Sequence, residues 1–122
     1  MKLEQQVCSL EFAKRLKELG VKQESYFWWA MASVNGQPDY FLVNEKYALP
    51  TAAAAFTVAE LGKMMMSEDT VSGYSHERIG WFCESSQHMK FNITEDTEAD
   101  ARAKMLVYLI ENGLMKPEGM AA

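Results

Sequence analysis

Apolar positions along this chain change their period several times, and each change marks a predicted element. Cys8, Phe12, Leu16 and Leu19 recur at steps of 4, 4 and 3, with Ala13 beside them. That is the stripe of an amphipathic helix. The spacing predicts a helix over 9–19, closed by Gly20 at the C′ position. Glu11 with Arg15 and Lys14 with Glu18 are opposite charges at i, i+4 on its outer arc, each worth a few tenths of a kcal/mol. Residues 1–7 are polar and are expected to be only loosely tied down.

From Tyr26 to Val34 the pattern becomes that of a strand. Tyr26, Trp28, Ala30 and Ala32 fall on one side and Phe27, Trp29 and Met31 on the other, as in a strand covered on both faces. Asn35-Gly36 then predicts a turn, and Tyr40–Asn44 a returning antiparallel strand. Residues 45–55 read as a connector that Pro50 keeps from being one helix, with the alanines at 52–55 as a short helical turn.

Thr57 and Glu60 make a T-x-x-E capping box, and Phe56 and Leu61 the matching hydrophobic staple. The helix they start is predicted to run to about Met66. Gly62 inside it costs about 1 kcal/mol relative to alanine and marks a close packing contact. Residues 67–77 are polar and read as a loop. Arg78–Cys83 reads as a third strand with Ile79, Trp81 and Cys83 on one face, 84–87 as a turn, and His88–Ile93 as a fourth strand with Met89, Phe91 and Ile93 turned inward.

The strongest pattern is the last. Thr97 is an N-cap residue, Glu98 and Asp100 lie where the helix dipole favours carboxylates, and Ala99, Ala103, Leu106 and Ile110 share a face. The unbroken apolar run 105–110 predicts burial over more than half the girth. Gly113 and Leu114 predict a Schellman close. Residues beyond Met115 read as a tail. The element order is therefore α-β-β-α-β-β-α. This is an α+β domain whose four-stranded antiparallel sheet packs against helices, with an ordered core over about 8–115.

Composition narrows the function classes. The 122 residues carry a net charge of -5, which argues against binding a nucleic-acid backbone. No apolar run is long enough to span a bilayer, and the first ten residues lack the apolar core of a secretory signal. A cytoplasmic setting is the expectation. Three Trp, five Tyr, six Phe and nine Met exceed what one small core comfortably hides.

Candidate chemistry is sparse. Cys83 and His88 flank a predicted turn, where a Cys–His pair can activate a thiolate. Alternation, however, turns Cys83 inward and His88 outward. His76, Glu77, Cys83 and His88 match no metal-ligand spacing. Glu95, Asp96, Glu98 and Asp100 read as helix-start carboxylates. No catalytic residue, metal or cofactor is therefore expected. Tyr26, Trp28, Trp29, Tyr40 and Trp81 are the candidate partner-binding residues, because adjacent tryptophans on a strand must face opposite ways.

The stretches CSLEFAKRLKELGVKQESYFWW, FTVAELGKMM and TEADARAKMLVYLIENGL together resemble small proteins encoded in phage and prophage genomes. The resemblance implies a bacterial or phage-infected cytoplasm and carries no assigned activity. The expected function is non-enzymatic, through binding a protein or a second copy of the chain. One alternative is a small hydrolase or transferase with a pocket near the 67–77 loop. Another is an acidic inhibitor of a host DNA-binding protein.

Overall fold

The structure, a computed structural model, describes residues 2–44, 51–85 and 93–117. Helix α1 spans Leu3–Gln6 and α2 Leu10–Glu18. Strands β1 (Trp28–Val34), β2 (Gln37–Val43) and β3 (Thr51–Ala54) follow, then α3 (Val58–Met64) and a 3-10 turn at Met66–Glu68. Strands β4 (Thr70–Ser75), β5 (Gly80–Ser85) and β6 (Ile93–Glu95) lead into α4, Glu98–Glu111. The chain is thus α+β with antiparallel pairing throughout.

Among the described residues the strands form two sheets of three, ordered β2-β1-β3 and β4-β5-β6, where one four-stranded sheet was expected. The cause lies in two segments whose local pattern is weak. The alanines after Thr51 form strand β3, since β1 offers them a pairing partner from Trp28 to Ala30. An alanine run is too short to hold a helix against that gain. Likewise 70–75, expected as loop, pairs with β5 along its whole length. The predicted fourth strand, 88–93, lies outside the described residues except for Ile93, the first residue of β6.

Helix α4 is the spine. Ala99, Ala101, Ala103, Met105, Leu106 and Leu109 are all buried, an arc wider than one amphipathic stripe. It packs against α1, α2, α3 and all three strands of the second sheet. Its ends are fixed as the sequence predicts. Asp100 N–H donates to Thr97 Oγ1 at 3.1 Å, and Leu114 N–H returns to the Leu109 carbonyl at 2.8 Å. Gly113 supplies the left-handed residue, φ 69°, that this close requires. Helix α2 closes the same way, with Val21 N–H on the Leu16 carbonyl.

The first residues are better anchored than their polarity implies. Val7 is buried and bridges Thr57, while Cys8 N–H donates to the Phe56 carbonyl at 2.9 Å. One hydrophobic cluster runs from Leu16 and Phe56 through Trp28 and Leu61 to Cys83 and Leu106. Burying a side chain the size of Phe56 contributes about 1.5–3 kcal/mol. The double coverage expected of β1 holds only at its start. Trp28 and Ala30 are buried, but Met31, Ser33 and Val34 stand in solvent, so the hairpin tip projects beyond the core.

Candidate functional site

Arg102, halfway along α4, joins three partners. Its Nε–H donates to Ser72 Oγ at 2.9 Å and Nη1 to the Val58 carbonyl at 3.2 Å, while Nη2 lies 3.6 Å from Glu98 Oε2. Ser72 O–H in turn donates to Glu98 Oε2 at 2.5 Å. A closed set of charge-assisted bonds thus ties α3, α4 and β4 together. It is possible because α3 carries Gly62 at the crossing: a methyl there would overlap the Arg102 guanidinium. The close approach expected at Gly62 is real. Arg102 itself was missed, since a single arginine on a helix carries no spacing signal.

A cavity of about 360 Å³ opens beside this set, between Gln5 and Gln6 of α1, the cap residues Thr57 and Thr97, Glu98 and Trp81. Its polar groups are largely committed. Thr57 Oγ1 accepts from Glu60 N–H and Thr97 Oγ1 from Asp100 N–H. Gln5 Oε1 accepts from Lys2 N–H, and Glu98 holds Ser72 and Arg102. The Trp81 ring and the Asp96 carboxylate also line it. No residue of the 67–77 segment lines it.

The thiols are withdrawn from chemistry. Burial pushes Cys8 up to about 12 and Cys83 up to about 11, so both are neutral thiols at physiological pH. His88 lies outside the described residues, and His76 sits at the β4–β5 hairpin with its ring 5.1 Å from that of Tyr74. Among the described residues no group of His, Cys, Asp and Glu is placed to hold a metal ion, and no helix is long and apolar enough to cross a membrane.

The five candidate partner-binding aromatic residues sit in very different surroundings. Trp28 is 6% exposed and belongs to the core, which removes it from any surface. Trp29 is half-buried, with its Nε1–H donated to the Cys8 carbonyl at 3.0 Å. Tyr40 lies under the Lys14 ammonium, 4.7 Å from the ring centroid. Trp81 packs on the core and stacks edge-on to Tyr74 at 5.7 Å. Only Tyr26, 74% exposed, is freely presented.

The exposed apolar side chains are instead largely ones the sequence reading passed over. Met31 and Val34 are at the first hairpin, and Val71, Tyr74 and Ile79 on or beside β4. Ile79 is 79% exposed and has φ 54°, a left-handed conformation that costs a β-branched residue about 1–2 kcal/mol. A weak signal existed for Val71 and Tyr74, apolar residues in a segment otherwise read as polar loop.

No protein-family model matches this chain, and neither a curated protein nor a solved structure is similar to it.

Proposed function

We propose that this chain is a non-enzymatic domain that works by protein contact, in the first place with a second copy of itself. The observation that carries this reading is the exposure of apolar residues on β4 and in the turn that follows it, Val71, Tyr74 and Ile79. An exposed isoleucine held in a strained conformation is a poor choice for stability alone, and strain of this kind concentrates at functional positions. Burial of both cysteines, and the commitment of Glu98 and Arg102 to each other, support the same reading by leaving few groups for chemistry. The setting we propose is a bacterial or phage-infected cytoplasm, on the likeness of residues 8–29, 56–65 and 97–114 to small phage-encoded proteins.

Sedimentation velocity from micromolar to millimolar concentration tests it. The reading expects the weight-average mass to rise above that of the 13.8 kDa monomer. A monomer at every concentration overturns it.

A further inference from the structure

The cavity between α1, the start of α3, β5 and the start of α4 is walled by segments far apart in sequence, so the packed fold is what shapes it. Its volume, about 360 Å³, lies within the range of small-molecule sites. Its charge is one-sided. Asp96 and Glu98 bring two carboxylates to the lining, and no lysine, arginine or histidine lines it. Glu98 shares its Oε2 between Ser72 and Arg102. Asp96 is exposed and, among the described residues, has no hydrogen-bond or ion-pair partner.

Trp81 brings an aromatic ring to the same cavity. The Trp29 indole is tied down, its Nε1–H donated to the Cys8 carbonyl. The half-buried Trp81 indole makes no hydrogen bond among the described residues. A ring and carboxylates without a basic neighbour suit a cation, which the ring quadrupole attracts and a carboxylate holds by charge-assisted bonds. The helix starts that open here do not reverse this preference. Helix α3 already has Glu60 in its first turn, bonded to Thr57 N–H, and α4 has Glu98 and Asp100. An anion would meet Asp96 and Glu98.

We propose that this cavity binds an organic cation, an ammonium or guanidinium group carried on an aliphatic stem. Val58, Ala59 and the Trp81 ring offer apolar surface to the stem, and Asp96 offers the counter-charge. The net charge of -5 draws such a group toward the chain. The site is independent of the self-association reading, because the exposed apolar residues of β4 and its turn do not line it.

Nuclear magnetic resonance titration of isotope-labelled protein tests the site with two probes of this chemistry. N-acetylargininamide stands for an arginine side chain on a protein, and agmatine for a free amine. Glutarate, an anion of similar length, is the control. The Trp81 indole N–H and the Gln5 and Gln6 side-chain amide signals are expected to shift saturably with at least one cation at low salt and to stay fixed with glutarate. Affinity is expected to fall as salt is raised. The tighter of the two cations identifies the source. Asp96→Asn removes the charge at an exposed position, so the fold persists, as far-UV circular dichroism will check. Its dissociation constant is expected to be about threefold higher or more. No saturable shift with either cation, an equal response to glutarate, or an unchanged dissociation constant in Asp96→Asn overturns the site. None of these results bears on self-association.

Discussion

The Arg102 guanidinium occupies the space that a side chain at Gly62 would need. Helix propensity alone says that alanine at 62 should stabilise α3 by about 1 kcal/mol. The contact reverses that expectation, because Nη1, which donates to the Val58 carbonyl, must move to make room.

A double-mutant cycle separates the two effects. Gly62→Ala in the wild-type background is expected to destabilise by about 1–2 kcal/mol. In an Arg102→Ala background, the same change is expected to stabilise by about 1 kcal/mol. Urea midpoints of the four proteins measure it, and additive effects would show that the two residues are not in contact.

Asp100 gives a prediction in pH. Burial holds its carboxyl above the usual carboxylate range, against the lowering effect of the bond from Ser9 N–H, 2.7 Å away. The folded chain therefore holds this proton more tightly than the unfolded chain. Its contribution is present below the unfolded pKa, falls as pH rises through the folded one, and is flat beyond. Asp100→Asn keeps an acceptor for Ser9 and removes the buried charge. It is expected to be no less stable at neutral pH and to flatten the acid-side slope. Asp100→Ala leaves Ser9 N–H without its acceptor and is expected to cost about 1–3 kcal/mol. Equal losses for both variants at neutral pH would contradict the assignment.

Ile79 is a position where stability and exposure disagree. Asparagine tolerates the left-handed region far better than a β-branched residue. Ile79→Asn is therefore expected to raise stability by about 1 kcal/mol, read as a higher melting temperature. If the exposed isoleucine also buttresses the contact between copies, association weakens in the same variant while the monomer gains.

The two-residue turn at Asn35-Gly36 makes Val34 and Gln37 a hydrogen-bonded pair, so Pro38 directs its backbone away from β1, and Pro38→Val gives β2 an outward N–H there. Tyr40 N–H stays donated to Asp39 Oδ1 at 2.9 Å, so the gain is partial. The variant is expected to form larger species than the wild type at equal concentration, because the open edge now has more of its ladder to offer. Light scattering reports it. Unchanged scattering would mean that proline is not what closes this edge.

How far the sequence led differs by element, for local reasons. Helix α4 was legible to both ends because Thr97, Gly113 and the apolar run act within the helix itself. The Thr57–Glu60 box was legible for the same reason, and both of its bonds are present. Strands β3 and β4 were not. Ala53, Ala54 and Ala55 are buried where β3 meets α2 and β1, an environment set by distant parts of the chain. In β4, Ser72 turns inward to Glu98 and Arg102, and Gly73 lies under the Phe82 ring, so polarity and smallness there look like loop. With two strands misplaced, a single sheet was the natural deduction and two sheets were hidden. Of the candidate site, the aromatic residues were visible as types, but their exposure depended on that same tertiary arrangement.

The measurement that bears most directly on the self-association reading is amide hydrogen exchange of residues 70–79 at low and high protein concentration. The amides of β4 and of the turn after it are predicted to gain protection as concentration rises, while Leu42 in β2 stays unchanged. Protection of β4 that does not depend on concentration, or a gain confined to β2, would contradict it.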